Sequence, residues 1–186
     1  MPQGLAGGPY RLLPHPAAPP AAAIGEVSVL LARIGDALII KYVLEGDLSQ
    51  LQLPEPRPPV RSDGLWRHTC FEAFIGRDGA DEYWEFNFSP SSAWAAYHFT
   101  AYREGMAPLM KGTAPAIRST AAARRLEVEV TVDLTWFARG EIALGARLGL
   151  SAVIEDRNHG LSYWALAHPA EKPDFHHAAG RVLALD

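Results

Sequence analysis

Glu72 and Glu85 carry the sharpest chemical hint in the sequence. They fall in CFEAFI and YWEFNF, two alternating stretches separated by the Gly/Asp cluster GRDGAD. That pattern predicts a hairpin of strand Arg67 to Ile75 against strand Glu82 to Phe88. In its simplest register Glu72 faces Glu85. Directly opposed carboxylates repel one another unless an Arg, a bound cation, a retained proton or a hydroxyl-bearing ligand compensates. Alternation places Thr69, Phe71, Ala73 and Ile75 with Trp84, Phe86 and Phe88 toward a core, and His68, Cys70, Glu72 and Phe74 with Tyr83, Glu85 and Asn87 on the opposite face.

A third strand, Ala93 to Ala101, reads with Ala95, Tyr97 and Phe99 inward and Trp94, Ala96, His98 and Thr100 on the polar face. Trp66 stands at the mouth of the Glu72 strand. Arg103, just past the third strand, is placed to reach the carboxylates as counter-ion or as donor to ligand hydroxyls. Carboxylate, amide, imidazole and aromatic ring on one face are the groups that hold a polyhydroxylated ligand, the ring covering an apolar sugar face. The candidate ligand-binding residues are Trp66, Glu72, Glu85, Asn87, Trp94, His98 and Arg103. A solvated outer sheet face is the plain alternative, and Arg103 as the pair's counter-ion would favour it.

The elements that must position these residues are strands. Glu26 to Arg33 and Ala37 to Glu45 form a first hairpin about Ile34-Gly35-Asp36, and Gly46 to Gly64 is a proline-rich loop. Ala116 to Ala121 reads as a short strand. Arg125 to Val132 alternates without a break, with Leu126, Val128, Val130 and Val132 inward. Asp133 or Thr135 caps a single helical turn in DLTWF. Ala146 to Glu155 and Leu161 to Leu166 form another hairpin about DRNHG, and Val182 to Leu185 a last strand. About nine or ten strands and no long helix predict an antiparallel sandwich or barrel. Residues 1–23, rich in Pro, Ala and Gly, read as an arm packed on the domain or a disordered tail, and residues 24–186 as a single domain.

With 186 residues, 48% hydrophobic and 20% charged, the chain suits one globular core. A net charge of -4 and a pI near 6.0 leave no basic surplus for nucleic acid or anionic membranes. Cys70 is the only cysteine, so no intrachain disulfide forms, and the thiol reads as a small, largely buried hydrophobe. No basic start precedes an uninterrupted apolar run, and the early prolines break any such helix; a soluble, cytoplasmic protein is the expectation.

Trp66, CFEAFI, YWEFNFSPSSAWAAY and the late DRNHGLSYWALAHPAEKPDFH together resemble the DOMON-like domains related to family 9 carbohydrate-binding modules, over roughly Val27 to the carboxyl terminus. The resemblance implies an all-β, antiparallel immunoglobulin-like β-sandwich that binds a sugar in some members and haem in others. In the sugar-binding modules a Trp and, six residues later, a Glu belong to the site, a spacing that Trp66 and Glu72 reproduce. A second Trp completes a clamp there, for which Trp164 is the nearest match. Thr69 stands where those modules commonly carry an acid, and no Asp-rich loop matches their structural calcium.

Haem relatives use a Met and a His, for which Met106, Met110, His98 and His176 are available. In HPAEKPDFHH, Asp174 and His176 read first as hydrogen-bonding braces. Adjacent His176 and His177 on a strand would point apart and so not share a metal. The expectation is a non-catalytic domain that binds a small polar ligand, a carbohydrate first, without a cofactor or metal. A haem-binding electron carrier and a glycosidase using paired carboxylates are the alternatives.

Overall fold

The computed structural model describes residues 6–110, 112–137, 145–158 and 160–185. The strands are β1 (Ala6–Pro14), β2 (Ile24–Ile34), β3 (Ala37–Gly46), β4 (Val60–Arg61), β5 (Cys70–Arg77), β6 (Tyr83–Phe88) and β7 (Ala93–Phe99). They continue with β8 (Ala107–Pro108), β9 (Ala116–Ala122), β10 (Arg125–Asp133), β11 (Ala146–Glu155), β12 (Leu161–Ala165) and β13 (Leu183–Ala184). Short 3-10 turns at Leu48–Gln50, Leu65–Arg67, Leu134–Trp136 and Ala178–Gly180 are the helical segments among the described residues. None is long and apolar enough to cross a membrane.

All-β architecture is as expected, but the pairing differs from two separate antiparallel sheets. One 13-stranded sheet runs β4-β7-β6-β5-β11-β12-β1-β2-β3-β10-β9, with β13 on β11 and β8 on β7. The β4–β7 pair is parallel and the others antiparallel. The sheet curls until its two halves pack face to face. Val27, Val29, Ile40, Leu44, Leu126 and Val128 come from one half, and Phe71, Ile75, Phe86, Phe88, Leu148 and Leu150 from the other. Tyr42 on β3 lies 4.9 Å from the Phe71 ring on β5, and its hydroxyl donates to the Glu72 carbonyl at 2.7 Å.

Strand β10 follows the alternation closely. Leu126, Val128, Val130 and Val132 are buried, and Glu127 reaches Lys41 of the adjacent β3 at 2.7 Å. Asp133 caps the next turn by accepting from the Thr135 amide at 2.9 Å. Residues 6–14, in the stretch read as arm or tail, form the joining strand: β1 pairs with β2 through Arg11↔Ser28 and with β12 through Leu13↔Ala165. Its Gly and Pro content hides it, because backbone pairing on both sides replaces side-chain propensity. The Trp136 side chain of DLTWF and His159 of the DRNHG turn lie outside what is described.

Two expectations about the central hairpin need correction. The β5–β6 register is two residues away from the simplest one: Glu72 pairs with Asn87, and Glu85 with Phe74. A two-residue shift preserves the faces, so both glutamates still share one side, diagonally placed. Strand β7 is inverted relative to its expected orientation. The turn Ser89–Ser92 brings Phe88 opposite Trp94 and Trp84 opposite His98, which puts Trp94, Ala96 and His98 on the main-core side. Ala95, Tyr97 and Phe99 face the other way and join Phe74 and Tyr83 in a second apolar cluster. Aromatic residues on both faces defeated a one-core reading of the alternation.

Tyr42→Phe deletes the hydrogen bond that ties the two halves at Glu72 while keeping the ring. It is expected to cost about 1 to 2 kcal/mol, read as a lower midpoint with unchanged slope in urea unfolding.

A candidate binding cavity with an acidic floor

Strands β5 and β6 are buried on both faces, because a second layer covers the side away from the main core. That layer comes from the turn carrying Trp66, the segment after β7, and the segment after β12. Between layer and sheet lies a cavity of about 450 Å³ lined by Trp66, Glu72, Phe74, Glu85, Phe99, Arg103, Met106, Val153, Tyr163, Pro173, Phe175 and His176.

Four of the eight sequence candidates thus meet in one place: Trp66, Glu72, Glu85 and Arg103. Asn87 is fully buried beneath them, where its Nδ2 donates to Glu85 Oε1 at 2.6 Å. The other three stand elsewhere. Trp94 packs against the main core, and Trp164 is buried within it, its Nε1 donating to Ser162. His98 lies over Trp84, 3.4 Å from Glu82. Trp164 pairs with Ala152, so alternation sends its neighbour Tyr163 to the cavity side. Tyr163, Phe175, Met106 and His176 complete the wall, and sequence reasoning had no pattern placing them there.

Arg103 is not the counter-ion of the glutamates. Its guanidinium binds Asp174 at 3.0 Å, and Asp174 also accepts from the Tyr102 hydroxyl and from the His176 amide. Asp174 therefore braces the covering segment, as read from the sequence, and Arg103 is the arm it holds. The backbone of Arg103, with φ of 57°, lets its amide donate to the Tyr83 hydroxyl at 3.2 Å. That hydroxyl lies 2.8 Å from Nδ1 of His176. In the tautomer that lets the tyrosine hydroxyl donate a hydrogen bond to Nδ1, the imidazole carries its proton on Nε2, 3.8 Å from Glu85.

Haem does not fit this arrangement. His176 and Met106 do share the cavity, but Nδ1 is engaged by Tyr83, and Nε2 points to a carboxyl rather than an open coordination position.

The electrostatics follow from burial. Glu72 is 2% exposed and receives one side-chain bond, from Ser151 at 3.1 Å; burial first, then the Glu85 charge, pushes its carboxyl well above the usual range. Burial pushes Glu85 up to about 7, opposed by the Asn87 hydrogen bond and by the more distant Arg103 charge. Burial, with the Arg103 and Arg181 charges, lowers His176 to about 4. Near neutral pH Glu85 is close to its midpoint and the imidazole is neutral, while burial and the Glu85 charge both resist ionisation of Glu72. Beneath them the Cys70 thiol is fully buried and pushed up mainly by desolvation, the state of an inert sulfur.

A carboxyl with a raised value stabilises the fold at low pH, and that contribution disappears as pH climbs through about 7 for Glu85. His176 acts oppositely, since the unfolded chain takes up its proton first; there stability rises with pH between about 4 and 6.5. Above 6.5 only the glutamates act. The melting temperature is therefore expected to fall from pH 6.5 to about 8, and Glu85→Gln to flatten that decline.

No family model matches the sequence, and no curated protein matches it. Among solved structures the fold is similar to that of a candidate carbohydrate-binding protein from Bacteroides uniformis, with a TM-score of 0.61 and 15% identity, over 83% of this chain and 75% of that one. It is also similar to a family 9 carbohydrate-binding module from Caldicellulosiruptor kristjanssonii in complex with glucose, with a TM-score of 0.45 and 10% identity, over 76% and 66% of the two chains. Likeness at this identity speaks to the fold alone.

Proposed function

We propose that the protein is a non-catalytic carbohydrate-binding domain of the DOMON-like kind, with its site in the cavity over β5 and β6. One observation carries this reading. A concave site of about 450 Å³ joins aromatic walls to a small set of convergent polar groups, which is the composition a sugar needs. Trp66, 36% exposed at the rim and held edge-on by Tyr97 at 6.0 Å, offers a ring face to an apolar sugar face. Glu72, whose burial favours the neutral acid, can donate as well as accept, Glu85 accepts, and Arg103 donates at the mouth. Asn87 acts from below by orienting Glu85. The likeness to a candidate carbohydrate-binding protein puts a sugar first among polyhydroxylated ligands.

A glycosidase-like enzyme is the second reading, favoured by a carboxyl that stays protonated near neutral pH, as a general acid must. Release of nitrophenol from a panel of aryl glycosides, lost in Glu85→Gln, would establish it over the first.

A thermal-shift screen against mono- and disaccharides and cell-wall fragments tests the binding reading. A ligand at ten times its dissociation constant adds about 1.4 kcal/mol, a rise of roughly 3 °C for a domain of this size. Trp66→Ala and Glu72→Gln are each expected to weaken the responding sugar about tenfold. No response at millimolar concentration across the panel would overturn the reading.

A further inference from the structure

The cavity floor holds an acidic pair with no cation to match it. Among the described residues, no Lys or Arg nitrogen lies within ion-pair distance of Glu72 or Glu85. Arg103 is committed to Asp174. The nearest basic group to Glu85 is the His176 imidazole at 3.8 Å, which burial first, and then the Arg103 and Arg181 charges, keep neutral. Phe74 and Phe99 flank the pair on the sheet, and Trp66 and Phe175 come from the covering layer, so that all four rings line the same space. Ring faces attract cations electrostatically, and carboxylates form their strongest hydrogen bonds with cationic donors. Both halves of that recognition are present here without a cationic partner.

A neutral sugar would leave this floor without a cationic partner. A hard divalent cation would charge it, but such ions take six or more oxygens, and no group of three or more His, Cys, Asp or Glu that could hold one occurs among the described residues. A compact organic cation needs only the two carboxylates and the ring faces. From this geometry we infer that the ligand carries a primary ammonium group, as a hexosamine does, seated between Glu72 and Glu85 against the aromatic wall. The inference rests on the sugar reading and narrows it to amino sugars. On binding, the Glu85 proton passes to solvent, the ammonium keeps its own, and both carboxyl groups accept charge-assisted hydrogen bonds from it.

Titration calorimetry at pH 6.5, in two buffers of different ionisation enthalpy, separates the possibilities with four probes: glucosamine, glucose, N-acetylglucosamine and ethanolamine. Glucosamine is expected to bind at least tenfold more tightly than glucose or its N-acetyl form and to release about one proton, while glucose releases none. Glu85→Gln, whose amide oxygen still accepts from Asn87, is expected to reduce the glucosamine advantage below threefold. Glucose or N-acetylglucosamine binding as tightly as glucosamine would overturn the ammonium and leave the sugar reading standing. Ethanolamine binding without any of the sugars would overturn the amino-sugar assignment and the sugar reading with it. An undiminished glucosamine advantage in Glu85→Gln would remove the ammonium from this floor.

Discussion

Everything about the cavity depends on two carboxyl groups being kept out of water on a sheet face that would ordinarily be wet. An isolated buried carboxylate costs several kcal/mol, and a second nearby raises that cost. The protein meets the constraint by raised proton affinity rather than by pairing: burial and the Glu85 charge push Glu72 up, Ser151 donates to it, and Glu85 leans on Asn87. Rings of the second apolar cluster then pack around groups that carry less than their full charge. A salt-bridged pair would have filled the same space with guanidinium and left no room for a ligand.

Arg103 shows how the fold reserves that room. It is the first cation after β7 and lines the cavity, yet Asp174 holds its guanidinium, and the same carboxylate fixes the peptide of His176. One side chain therefore both restrains the covering segment and keeps a competing charge off the floor. Tyr83 links the two sides of this arrangement by contacting the Arg103 amide and the His176 ring. Tyr102, Asp174, Arg103, Tyr83 and His176 form one connected hydrogen-bonded set, and few of them are free to rearrange alone.

Strand positions were legible in the sequence wherever alternation served a single core, as in β10, and the turn at Gly35 was legible from its chemistry, with φ of 60°. The glutamates shared a face in either register, because a shift of two residues leaves the faces intact. Face assignment failed for β7, and Trp164 was misplaced with it, because Tyr97, Phe99, Trp94 and Trp164 are all apolar enough for an interior and this fold has two interiors. Phe175 and His176 had no periodicity to place them, since irregular segments reach their sites by tertiary contact. Strand β1 was hidden for the opposite reason, its pairing being carried by the backbone.

The long-range pairing of β5 with β11 sets the order in which the molecule can assemble. Glu72 meets Ser151 across 79 residues of chain, and the cavity wall is finished only when the segment around Phe175 arrives. Loop-closure entropy must be overcome before such contacts yield any stabilisation, which places the domain among slow, high-contact-order folders. Until the last segment docks, the Phe74, Tyr83 and Phe99 surface faces water, so the same rings that line the finished cavity are the sticky surface of the unfinished one.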